Sequence, residues 1–124
     1  MENKILGLHH ITAIANQAKR NLDFYRDTLG VRLVKKTVNF DDPGTYHFYF
    51  GDEIGTPGTI LTFFPWEGVG QGRNGAGMAT HIGYSVPTGS LDFWKERLAA
   101  RQVKVKDGEI LGEKLISFTD RDGL

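Results

Sequence analysis

A repeat constrains this chain more than any other feature. His10-Ile11 is followed by Asn21-Leu22-Asp23-Phe24-Tyr25-Arg26, and His81-Ile82 is followed in the same way by Ser90-Leu91-Asp92-Phe93-Trp94-Lys95. Leu29 then corresponds to Leu98, and Val31-Arg32-Leu33-Val34-Lys35 to Gln102-Val103-Lys104-Val105-Lys106. Internal similarity determines architecture more firmly than local propensity, and two copies are too few for a solenoid. They suit a pseudo-symmetric pair of modules. With 124 residues, 40% of them hydrophobic, the chain can build one compact core but not two ordinary domains. The expected division is a first module at 1–66, a glycine-rich linker at 67–78 and a second module at 79–124.

Each copy opens on a strand, LHHITAIA at 8–15 and ATHIGYSV at 79–86, because β-branched residues alternate there with others. Each then turns helical. Leu22, Tyr25 and Leu29 make an apolar stripe on the first helix, and Leu91, Trp94 and Leu98 make one on the second. Asn21 or Asp23 is expected to support the first helix N-terminus, Ser90 to cap the second, and Gly30 to close the first. Strand-like runs follow at 31–40, 45–50 and 59–64, separated by Asp41-Asp42-Pro43-Gly44 and Thr56-Pro57-Gly58. The unit is therefore βαβββ, and the fold class α+β with a curved mixed sheet. Copy two offers strands at 103–106 and 114–119 and reaches Leu124 where its last strand would begin. The expectation is an exposed sheet edge in copy two, covered either by the rest of a longer polypeptide or by a second chain.

Fifteen basic residues balance fifteen acidic ones without clustering, so no nucleic-acid partner is expected. The absence of cysteine leaves imidazole, carboxylate and hydroxyl chemistry. No leader and no apolar run of bilayer length is visible, from which a cytoplasmic protein without membrane partners is expected.

Adjacent strand residues face opposite ways, so His9 and His10 should not share a role. Leu8, His10, Thr12 and Ile14 share one face of the strand, while His9, Ile11, Ala13 and Ala15 form a face suited to packing on a helix. His81 shares a polar face with Gly83 and Ser85. Equivalent positions of a pseudo-twofold pair approach a common centre, which makes His10 and His81 candidate metal ligands. The competing expectation is a hydrogen-bonded core histidine. His9 reads as a structural residue or a support to a ligand, and His47 as a surface or packing residue. A two-histidine site for Fe(II) or Mn(II) also needs a carboxylate. The strand at 59–64 has none, and Glu67 follows only in a loop. Gly70-Gln71-Gly72-Arg73-Asn74-Gly75 matches G-x-G-x-x-G but precedes a strand rather than a helix, so a linker is expected there and no dinucleotide site. Phe48, Phe50, Phe63, Phe64 and Trp66 read as core, part of which should face the cavity and could enclose an aromatic ring.

These residues resemble the vicinal oxygen chelate superfamily of glyoxalase I, bleomycin-resistance proteins and extradiol dioxygenases. Within it, LHHITAIA, LVKKTVNFDDP at 33–43, YHFYFGD at 46–52 and PGTILTFFP at 57–65 resemble the hydroquinone-type ring-cleaving dioxygenases. The resemblance spans nearly the whole chain and implies the N-terminal half of a longer protein. It implies an Fe(II) or Mn(II) centre held by two histidines and a glutamate, opening a hydroquinone-like ring with O₂. By that resemblance His10 is the N-terminal ligand, the other ligands lie beyond Leu124, and His9 and Thr12 are catalytic-site residues near the metal. The subgroup draws its second histidine from a position other than that of His81. The chain alone is then expected to be inactive and to bind Fe(II) weakly. The expected partners are a small aromatic substrate and O₂, with either a homodimer or pairing to the missing half. Alternative expectations are a metal-free sequestering protein of the bleomycin-resistance type and a glyoxalase-like metal-dependent enzyme.

Overall fold

The structure is a computed structural model that describes residues 4–124. Its order is β1 (His10–Ala15), α1 (Ala18–Leu22), a π-helical segment (Asp23–Thr28), β2 (Arg32–Val38), β3 (Tyr46–Gly51), β4 (Ile60–Pro65), α2 (Leu91–Ala100), β5 (Lys106–Ile110) and β6 (Glu113–Ser117). The class is α+β. The chain separates into two compact units, Met1–Val69 and Gly70–Leu124. No helix among the described residues is long and apolar enough to cross a membrane.

The first unit is a four-stranded sheet in the order β1-β4-β3-β2. β1 runs parallel to β4, while β2, β3 and β4 are antiparallel neighbours. Strand alternation sends Phe48, Phe50, Leu61 and Phe63 to one face, where all are buried with Phe24 and Tyr25 of the helical segment. The Tyr25 ring lies 4.7 Å from that of Phe63 and 5.3 Å from that of Phe50. Adjacent Phe24 and Tyr25 are both buried because the helix widens: Leu29 donates its N–H to Phe24 O at 3.0 Å, a bond spanning five residues. Gly30 then takes φ +76°, the left-handed conformation that ends the helix. The expected helix supports are not made. α1 is preceded by Gln17, and Asn21 lies inside α1 with both side-chain amide atoms buried and unpaired. The helix therefore starts a turn earlier than the sequence suggested.

In the second unit, α2 carries the expected stripe, with Leu98 fully buried beside Val103. Ser90 precedes α2 but does not cap it, since its hydroxyl donates to Pro87 O at 2.7 Å. The hairpin β5-β6 turns on Leu111 and Gly112, both at positive φ. That two-residue turn sets the register and moves the expected strand at 103–106 to Lys106–Ile110. No strand forms at 79–86. In the first unit β1 hydrogen-bonds to β4 alone, and the second unit, among the described residues, has only the β5-β6 pair. Without a counterpart of β4, the segment at 79–86 has no strand to pair with. The glycine-rich stretch before it is exposed and irregular.

Candidate functional site

The face of the first sheet that points away from the helix carries polar residues in a row. Thr12 of β1 lies opposite Thr62 of β4, Thr62 opposite Tyr49 of β3, and Tyr49 opposite Lys35 of β2. The Thr62 hydroxyl donates to Thr12 Oγ1 at 2.8 Å, and His47 Nε2 lies 3.0 Å from Thr62 Oγ1. His47 Nδ1 is 3.1 Å from the Tyr49 hydroxyl, and Lys35 Nζ stands 5.4 Å from the centre of the Tyr49 ring. Thr62 and His47 are buried, whereas Thr12 is exposed. Burial first, then the neighbouring charges of His10 and Lys35, holds the His47 imidazole below its ordinary pKa. The His47 ring also packs on Phe64 at 4.1 Å, and Phe64 stacks in turn on Trp66.

His10 is the first residue of β1 and is exposed on the same strand face as Thr12. His9 was expected on the opposite face, yet its Nδ1 lies 3.1 Å from His10 Nδ1, with the rings nearly perpendicular. His9 precedes the regular strand, so strand alternation does not bind its side chain. One of the two Nδ1 atoms must carry the proton of that contact and the other accept it. His81 is exposed in the irregular segment 79–86, its Nδ1 3.0 Å from Thr80 Oγ1.

A neutral imidazole is a fitting ligand for a divalent transition ion. His10 Nε2 is compatible with that role if Nδ1 donates to His9. The donor number is smaller than such a centre requires: among the described residues no three or more His, Cys, Asp or Glu group together as a metal cluster.

His47, expected as a surface or packing residue, is instead buried and hydrogen-bonded to Thr62, a residue to which the sequence assigns no role. The signal was present in YHFYF, because Phe48 and Phe50 in the core place His47 and Tyr49 on the opposite face. What it lacked was the strand order that sets β4 between β1 and β3. The aromatic cluster divides between the two faces, with Phe48, Phe50 and Phe63 in the core, Phe64 against His47 and Trp66 stacked on Phe64.

Comparison with known proteins places this geometry in context. The chain is 56% identical over 121 residues to "Putative ring-cleaving dioxygenase MhqE" of Bacillus subtilis, covering 98% of this chain and 40% of that protein. It is 42% identical over 125 residues to the chlorohydroquinone/hydroquinone 1,2-dioxygenase of Sphingobium indicum, covering 98% of this chain and 39% of that one. The crystal structure of a "putative dioxygenase from Bacillus subtilis subsp. subtilis str. 168" superposes with a TM-score of 0.93 at 53% identity, over 98% of this chain and 39% of that one. The chain thus spans about 40% of the length of these relatives. Residues 7–124 match the family model described as Glyoxalase/Bleomycin resistance protein/Dioxygenase superfamily, and with a βαβββ sheet that presents His10 on its polar face, the chain belongs to that superfamily.

Proposed function

We propose that this chain provides one side of a divalent-metal centre in a ring-cleaving dioxygenase that acts on hydroquinone-like aromatics. The observation that carries the proposal is His10, exposed on the polar face of the sheet with its Nδ1 in contact with His9. The 42% identity to a hydroquinone dioxygenase supports the substrate class. His10 holds the metal through Nε2. His9 accepts the Nδ1–H of His10 and thereby fixes the ring and its tautomer, as partners of ligating histidines commonly do. Thr12, on the same face two residues along, directs its hydroxyl at a substrate oxygen. Phe64 and Trp66 offer aromatic surface to the ring. When bound there, Fe(II) or Mn(II) would supply the Lewis-acid and redox chemistry that ring opening with O₂ requires. The remaining ligands come from a second chain or from sequence outside these residues, in a cytoplasmic protein; His81 is the lesser candidate.

Anaerobic loading with Fe(II) or Mn(II) of the assembly that supplies the remaining ligands, followed by metal analysis and O₂ uptake with hydroquinone, tests this reading. His10→Ala should abolish both metal retention and O₂ uptake, and His9→Ala should weaken metal binding about 10–100-fold. Metal retention that is indifferent to His10 would overturn the proposal. Tight binding of an aromatic ligand without metal, unaffected by His10→Ala, would favour a sequestering protein instead.

A further inference from the structure

We infer that Tyr49, His47 and Thr62 form a one-way hydrogen-bonded row that sets the Thr12 hydroxyl as a donor toward the face carrying His10. The inference rests on the proposed function only for what Thr12 meets there. Each hydroxyl has one proton to give. Thr62 spends its proton on Thr12 at 2.8 Å, so toward His47 it can only accept. His47 Nε2, 3.0 Å away, must then carry a proton. In a neutral ring Nδ1 is left as the acceptor, and the Tyr49 hydroxyl at 3.1 Å is its donor. The direction is the same at every step. Thr12 receives a hydrogen bond at its oxygen, which leaves its own proton to be given onward.

Burial keeps the row intact. Thr62 is fully buried and His47 retains only 9% exposure, so water does not compete for their hydrogen bonds. The three side chains come from β3 and β4, and Phe64 holds the His47 ring from one side at 4.1 Å. None of the three needs to touch the substrate. They are positioning residues that act through Thr12, which stands on the His10 face two strand positions, about 7 Å, along β1.

Heteronuclear NMR of the His47 ring in the metal-free chain reads the direction. The expected result is the Nε2–H tautomer with that proton protected from exchange; Tyr49→Phe should perturb Nδ1, and Thr62→Val should remove the protection. An Nδ1–H tautomer would overturn the inference. In the metal-loaded assembly that supplies the remaining ligands and turns over hydroquinone, Thr62→Val should lower kcat/KM about tenfold, the worth of one hydrogen bond. In a Thr12→Val background the same change should do nothing further, because Thr62 acts through Thr12; independent, multiplying losses would refute the row. His47→Gln, which keeps a donor near the Nε2 position, should retain more activity than His47→Phe, which keeps only the packing on Phe64, and the opposite order counts against the inference. The NMR result needs neither metal nor substrate. Failure of the dioxygenase reading therefore leaves the direction decided, and normal turnover with a reversed tautomer discards this inference alone.

Discussion

Asn21 is 2% exposed within α1, and neither its amide oxygen nor its amide nitrogen has a hydrogen-bond partner. An unpaired buried amide costs more than a lost surface contact, because its desolvation is not offset. Asn21→Leu, which keeps the approximate volume, should stabilise the protein by about 1 kcal/mol, seen as a higher urea midpoint at unchanged m. A lower midpoint would mean that the amide has a partner. His47 gives a pH dependence of known sign. An imidazole whose folded pKa lies below 6.5 binds fewer protons in the native state than in the unfolded one. Its contribution is fully present above about pH 6.5 and is lost as pH falls through the lower folded value. Urea midpoints of the unmodified protein should drop over that interval, and the drop should be shallower in His47→Gln. An equal drop in both would remove His47 as its source.

At the scale of elements, Gly30 and Phe63 carry the sharpest expectations. A Cβ at Gly30 would meet nothing within 4 Å, so Gly30→Ala is strained only by φ +76° and should cost about 1 kcal/mol. Phe63 is fully buried between Tyr25 and Phe50, and Phe63→Ala should cost about 3–5 kcal/mol in chemical denaturation. Both positions were legible in the sequence: Gly30 as the end of an apolar helical stripe, Phe63 as a strand residue in an aromatic run. So were β2, β3 and β4, each bounded by turn residues and each found close to its expected limits. The π-helical widening was not legible, because it answers to tertiary packing of Phe24 and Tyr25 together and leaves no distinct period in the sequence. The hairpin β5-β6 was misplaced because Leu111 is a poor residue for positive φ, so Leu111-Gly112 gives no strong turn signal. His9 escapes the alternation for a related reason: it stands one residue before the point where the strand begins.

For the molecule as a whole, strand formation depends on a partner as much as on composition. The segment 79–86 repeats the pattern of β1 and yet stays irregular, whereas β1 is paired along its full length with β4. Backbone amides of β1 that donate to β4 should therefore exchange slowly with deuterium, and those of 79–86 fast, when the chain is followed by hydrogen-exchange mass spectrometry. Equal protection would show that 79–86 has found a strand partner. The exposure of His10 on the polar strand face was readable from the alternation of residues 10–15. The His47 half of the candidate site depended on strand order, which no local pattern encodes.

The parallel pairing of β1 with β4 also has a consequence in time. Thr12 and Thr62 are fifty residues apart in sequence, while β2, β3 and β4 are joined by the much shorter segments 39–45 and 52–59. Closing the longer loop costs more chain entropy, so the antiparallel meander can assemble first and β1 docks onto it afterwards. During synthesis β1 leaves the ribosome well before its docking strand exists. The face that bears His10 is thus among the last parts of the first unit to take shape.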